Sequence, residues 1–303
     1  YLFMLRRRSK SPRHDKLAPR TPHGSGPRSR RRARPDTPVP EELMLPPHGL
    51  PAAREAKPKA ERRPPKTAPE RPPKRTGEEP PRGQRAASGE RVVLVTGFDP
   101  FGGESLNPSW EICQRLPHEI AGARIETCHV PCQFRRAIEV VAEAIERHRP
   151  EAVISLGQAG GRMQMSVERV AINLNDARID DNAGSRPIDE AIAPSGPAAY
   201  FSTLPIKAMA IAMRAAGAPA EVSNTAGTFV CNHLMYGVLH YLAGSGNPAR
   251  AGFIHVPYAP EQAADKPDRA SMAIETMVKG VQAAISAAVT HEHDVAAAEG
   301  KLD

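Results

Sequence analysis

The sequence predicts one α/β domain with a mostly parallel β-sheet covered by helices on both faces, preceded by a long segment that cannot build a core. Three observations predict it. Apolar, β-branched runs of strand length alternate with stretches of helical spacing, the pattern of strand–helix–strand units. The main apolar runs end in glycine-rich or polar loops. The alternation begins only near residue 91, and residues 1–90 hold 18 of the chain's 32 prolines.

Those first 90 residues include RRRARPDTPVP and ERRPPKTAPERPPKRTGEEPPRGQR, which offer almost no apolar periodicity, so the segment is expected to be disordered. It carries 23 Lys and Arg against 10 Asp and Glu, whereas residues 91–303 carry 18 against 24. The overall net charge of +7 therefore originates in the tail. The part expected to fold is mildly acidic and has no basic stripe with interleaved aromatics, which argues against nucleic-acid recognition there. Two readings of the tail stay open. One is a basic arm that binds nucleic acid or an acidic surface, which would go with a catalytically weak domain. The other is an overlong gene model, because the chain begins with Tyr1 and its Arg, Pro, Ala and Gly bias is what translated GC-rich upstream DNA gives.

Residues 91–303 suffice for one well-buried domain. Val92–Thr96 is a β-branched run suited to a strand buried on both faces, and it ends in GFDPFGG. Asn107-Pro108-Ser109 opens a helix through Leu116, with proline in the first turn. Arg124–Val130 reads as a second strand, and Phe134–His148 has helical spacing through Ile138, Val141, Ala142 and Ile145 until Pro150. Glu151–Leu156 is the next buried strand and runs into GQAGGR. Met165–Asn175 (MSVERVAINLN) has period 2, as an exposed or half-exposed hairpin would. Further on come a helix over Pro205–Ala216, a short strand over Glu221–Ser223, TAGTFVCN leading into a helix through Leu242, a strand over Ala251–Val256 and a helix over Ser271–Val289. In such sheets ligands bind beyond the carboxyl ends of strands. GFDPFGG, GQAGGR, SNTAGTFVC and HVPY all occupy such positions.

The four cysteines, Cys113, Cys128, Cys132 and Cys231, are expected to be reduced thiols of a cytosolic protein. The opening YLFML is too short for a signal core, and no apolar run approaches membrane-spanning length. Cys231 is the most informative of the four. At the first turn of a helix, approached through Gly227, its thiol meets backbone N–H groups and a helix dipole that lower its pKa and could hold an oxyanion. Of the histidines that could serve as base, His233 and His240 lie on the same helix and point elsewhere, and His291 and His293 fall in a polar terminus. His255 ends the strand AGFIHVP at the rim where the loops converge. A third group must fix the imidazole tautomer. Glu168 in SVERVAIN is the preferred acid, with Asp176, Asp180 and Asp181 as rivals. Cys128, His129 and Cys132 have ligand-like spacing but no second cluster to close a metal site. The glycine loops lack the G-x-G-x-x-G and G-K-[ST] patterns of nucleotide cradles.

From about Val92 to Val289 the chain resembles pyroglutamyl-peptidase I, the pyrrolidone-carboxylate peptidase family. The resemblance rests on TGFDPFGGESLNPSW, SLGQAGGR, ERVAINLNDARIDDNAG, SNTAGTFVCNHLMYG and FIHVPYAPEQ, in that order. It implies a three-layer α/β/α sandwich of the phosphorylase type and a cytoplasmic thiol exopeptidase that removes N-terminal pyroglutamate from peptides. It also implies no metal or other cofactor, and assembly as a homotetramer. Carried over by position, it makes Cys231, His255 and Glu168 the catalytic triad. Phe98 and Phe101 would line the pocket for the flat ring, Gln158 would sit near the lactam amide, and Arg178 near the catalytic centre. Asp180, Phe229 and Ala259 stand where the family commonly has proline, tyrosine and leucine. An aspartate at 180 could alter the charge pairing of Arg178.

Overall fold

The computed structural model describes residues 90–300, so the expectations for the tail fall outside the described residues apart from its last residue, Glu90. In chain order the elements are β1 (Arg91–Phe98), α1 (Pro108–Cys113), β2 (Glu119–Ile120), β3 (Ala123–Val130), α2 (Arg136–His148), β4 (Ala152–Gln158), β5 (Met165–Glu168), β6 (Val170–Ile172), β7 (Ala199–Phe201), α3 (Ile206–Ala215), β8 (Ala220–Ser223), α4 (Val230–Ser245), β9 (Arg250–Val256), α5 (Pro260–Ala263) and α6 (Ile274–Thr290).

Seven strands form the main sheet in the order β2-β3-β1-β4-β9-β5-β8. The pairs β1–β3, β1–β4, β4–β9 and β5–β8 are parallel, whereas β2–β3 and β5–β9 are antiparallel. Alternation along the strands divides the core into two layers. Val93, Val95, Ile154, Leu156, Ile254 and Met165 pack against α1, α3 and α6. Leu94, Phe98, Val153, Ala251 and Phe253 pack against α2 and α4. The result is a helix–sheet–helix sandwich, in agreement with the sequence expectation. None of its described helices is long and apolar enough to cross a membrane.

The chain leaves β1 toward β3 on one side and returns to β4 on the other, which opens a crevice between the loops that follow β1 and β4. The first of these loops is held from α1. Asn107 caps the helix by accepting from the Ser109 N–H at 3.1 Å, and its amide donates to the Asp99 carbonyl at 2.9 Å. Ser109 Oγ accepts from the Phe98 N–H at 2.9 Å. Gly97 permits this closeness, since a Cβ there would come within 2.7 Å of the Ser109 carbonyl oxygen.

The expected hairpin over Met165–Asn175 is corrected. β5 is buried at every residue and lies in the main sheet between β9 and β8. After Arg169 the chain leaves that sheet, and β6 pairs instead with β7 in a separate two-stranded ribbon. The period-2 pattern was correct for extended backbone, but it could not reveal that the extended run is divided between two sheets. The short β2, β7 and α5 were not anticipated; they have two to four residues each and no resolvable period.

Because the obstruction at Gly97 is backbone rather than a side-chain tip, Gly97→Ala should lower the unfolding free energy by roughly 1–3 kcal/mol, the usual range for overpacking. Urea denaturation of the two proteins checks this.

Candidate active site

Cys231 is the second residue of α4, and the chain reaches it through Gly227, whose φ of +76° is a left-handed value that a side chain would strain. Phe229 occupies the N-cap and supplies no side-chain acceptor. The N–H groups of the first turn therefore remain available beside the thiol. Below Cys231 lies Gly157 of β4, where a Cβ would approach the sulfur to 2.8 Å and Phe253 Cζ to 2.7 Å. A glycine is thus what lets α4 lower its sulfur onto the sheet.

Gly157 is the register partner of His255 on β9, so both present the same sheet face toward α4. On the other side of β9, Ser166 is the register partner of His255. Glu168, two residues further along antiparallel β5, reaches His255 diagonally. Its Oε1 accepts from His255 Nδ1 at 2.7 Å. A carboxylate only accepts, so Nδ1 carries the ring proton and Nε2 is left as the basic nitrogen. Glu168 is 0 % exposed and His255 4 %. The carboxylate also takes a 2.6 Å ion pair from Arg162 Nη1, whose Nη2 donates to the Thr225 carbonyl at 3.0 Å. Ser223, paired with Glu168 across β5–β8, directs its hydroxyl to the Thr225 carbonyl at 3.2 Å. Oε2 of Glu168 consequently has no hydrogen-bond partner among the described residues.

These surroundings set the charges. Burial works against ionising Glu168, but the hydrogen bond and charge of His255, with Arg162 behind them, outweigh it and hold the carboxyl below its ordinary value. Burial depresses the His255 pKa; Glu168 opposes the depression and Arg162 adds to it, and the balance lies below the usual 6.5. The imidazole is neutral at pH 7. The sequence expectation that the Cys231 pKa falls is corrected: burial, then the Glu168 charge, pushes the thiol up to about 12. The Arg162 charge opposes this rise without reversing it. The resting site is therefore a neutral thiol, a neutral imidazole and an ionised carboxylate.

Cys231 and His255 open on one cavity of about 710 Å³. Phe98, Phe101, Gln158 and Arg178, the other residues singled out from sequence, line it as well. Phe101 and Phe229 face each other across 6.0 Å between ring centroids. Asp176 also lines the cavity, whereas Asp180 is exposed and stands off the lining.

The remaining candidates have other partners. His233 is buried, accepts from the Arg135 N–H at 2.8 Å and meets Asn175 Oδ1 at 3.0 Å, and burial holds its pKa at about 4. His240 Nδ1 lies 2.9 Å from the Tyr200 hydroxyl. Asp181 accepts from the N–H groups of Phe134, Ala183 and Ser185, a loop-building role. His129 pairs with Asp99 at 2.8 Å and stacks on Trp110. Among the described residues, no three His, Cys, Asp or Glu side chains are grouped to hold a metal ion. Sequence reasoning missed Arg162 as a site residue. It lies within GQAGGR, but nothing in that loop's spacing says that its arginine turns back onto Glu168.

The family model described as pyroglutamyl peptidase matches residues 91–291. A pyrrolidone-carboxylate peptidase of Cupriavidus necator is 56% identical over 214 residues, which are 70% of this chain and 99% of that protein. The crystal structure of pyroglutamyl peptidase I from Bacillus amyloliquefaciens superposes with a TM-score of 0.67 at 48% identity, covering 69% of this chain and 100% of the other. The pyrrolidone carboxyl peptidase of Thermococcus litoralis gives 0.64 at 40% identity over 66% and 93%.

The double engagement of Glu168 predicts a pH-dependent stability. A carboxyl whose folded pKa is depressed contributes stability above its unfolded value, near 4.5, and loses it as pH falls through the folded one. Arg162→Met should therefore lower the unfolding free energy by roughly 1–3 kcal/mol at pH 7, a discounted figure for a pair with one partly exposed member. The difference should shrink below pH 4.5 in urea titrations. A difference constant from pH 3 to 7 would assign the loss to packing of the arginine stem.

Proposed function

The chain belongs to the pyroglutamyl peptidase family, and on that premise we propose that it hydrolyses the bond after an N-terminal pyroglutamyl residue of peptides through Cys231, His255 and Glu168. It is a hydrolase of the cysteine-exopeptidase type. The observation that carries the residue assignment is the buried Glu168–His255 hydrogen bond of 2.7 Å, which leaves Nε2 basic in the cavity that Cys231 also lines.

In this mechanism the thiol is not a standing thiolate. His255 Nε2 takes the Cys231 proton as the sulfur attacks the exocyclic carbonyl of the substrate, and Glu168 stabilises the imidazolium that forms. The first-turn N–H groups of α4 receive the developing oxyanion. The imidazolium then gives its proton to the departing amine, leaving a thioester on Cys231. Water, deprotonated by the same imidazole, attacks the thioester, releases pyroglutamate and restores the thiol.

The substrate has a cyclised N-terminus without a charged amine, so recognition must use shape and lactam polarity. Phe98 and Phe101 supply apolar faces, and Gln158 a polar group at the cavity wall. Arg178 lines the same cavity and is assigned a place near the catalytic centre. As parts of the same proposal, no metal or other cofactor is used, and the enzyme works in the cytoplasm as a homotetramer.

Release of a fluorophore from a pyroglutamyl amide, and its loss on treatment with a thiol-alkylating agent, tests the activity. Cys231→Ala should lower kcat by roughly 10⁴ or more with the fold intact. Retained turnover would remove Cys231 from the mechanism. Because the His255 pKa is depressed, kcat/KM should fall only on the acid side of 6.5, as the base becomes protonated. An acid limb centred above 7 would contradict a neutral resting imidazole.

A further inference from the structure

Gln158 lines the cavity, but its orientation is decided elsewhere. Its Oε1 accepts from Nε2 of Gln262 at 2.8 Å, in a contact buried between β4 and α5. An amide side chain can be turned end for end, so the question is what anchors Gln262. Its Oε1 accepts from the Ala259 backbone N–H at 3.1 Å, a group that can only donate. Its Nε2 faces the Leu106 carbonyl at 3.2 Å and Glu104 Oε2 at 3.2 Å, groups that here can only accept. Glu104 is in turn held by Lys266, Nζ to Oε1, at 3.1 Å. Each fixed partner requires the same orientation of Gln262, with its nitrogen toward Gln158. Gln158 must then answer with its oxygen, and its own NH2 has no hydrogen-bond partner among the described residues other than what enters the cavity.

We propose that Gln262 is a positioning residue: by donating to Gln158 it forces the Gln158 NH2 into the cavity, so that the site presents a donor and selects a ring carrying a carbonyl. The inference rests on the reading of the substrate given above and extends it by naming the residue that sets hydrogen-bond polarity. Gln262 is 4 % exposed and does not line the cavity. It acts on the lactam end of the site through Gln158. A buried donor left facing a ring without an acceptor is unsatisfied, and this is how such a site rejects the analogue.

The test compares two neutral substrates of similar shape, the pyroglutamyl amide and the cyclopentanecarbonyl amide, which lacks the lactam. Gln262→Glu keeps the acceptor for Ala259 but replaces the donor with an acceptor, so Gln158 must turn its nitrogen inward and its oxygen toward the cavity. The kcat/KM ratio between the two substrates should fall by about 10- to 100-fold, the effect of one buried hydrogen bond reversed, and the loss should be carried by KM more than by kcat. Gln262→Met removes the donor without supplying an acceptor and avoids a second carboxylate beside Glu104. It frees Gln158 to take either orientation, and its ratio should lie between those of wild type and Gln262→Glu. Thermal melting of each variant separates this from misfolding. If both variants lower the melting temperature and slow both substrates equally, with the ratio unchanged, Gln262 is only structural and the proposal is overturned. If wild type itself fails to cleave the pyroglutamyl amide, the substrate reading fails, a result visible before any variant is measured, and the proposal falls with it.

Discussion

The short hydrogen bond between Glu168 and His255 is the constraint around which the rest of the site is arranged. Two groups almost without solvent contact can keep opposite proton preferences only if each stabilises the other, and the antiparallel pairing of β5 with β9 supplies that proximity. An isolated carboxylate at that depth would take up a proton. Shared between His255 and Arg162, it stays ionised and fixes the ring tautomer. Thr225, whose carbonyl accepts from Arg162, belongs to the loop that leads into α4, so the charge that tunes the histidine also ties the loop before the cysteine to the loop after β4.

The same arrangement accounts for the raised pKa of the Cys231 thiol. The Arg162 charge favours a thiolate at Cys231, but burial and the nearby Glu168 carboxylate raise the thiol pKa, and these two effects prevail. In the proposed mechanism the nucleophile is then made at the moment of attack rather than stored. What the fold contributes is position, through the absent side chain at Gly157 and the uncapped first turn of α4.

Much of this was legible in the sequence. Buried parallel strands announce themselves as unbroken apolar runs, so β1, β4 and β9 were found with their loops, and a histidine ending a strand was correctly placed at the rim. β5 was legible as extended backbone but not as a member of the main sheet, because period 2 gives a strand's two faces and not its neighbours. That is why Glu168 could not be separated from Asp176, Asp180 and Asp181 by pattern alone, although the structure buries it beside His255. The pKa of Cys231 depends on a carboxylate 63 positions earlier in the chain, and Arg162 on a loop reversal; neither leaves a local trace.

The order of strands has a consequence for how the molecule comes into being. β4 and β5 are consecutive and joined by only the residues numbered 159–164, yet they are not neighbours: β9 fills the slot between them. The gap between β4 and β5 is closed only by residues 250–256, which hydrogen-bond on both sides. Such a contact spans some ninety positions and carries a large loop-closure entropy. The acid of Glu168 is thus laid down well before Cys231 and the strand bearing His255, and the three side chains come together only once β9 has paired.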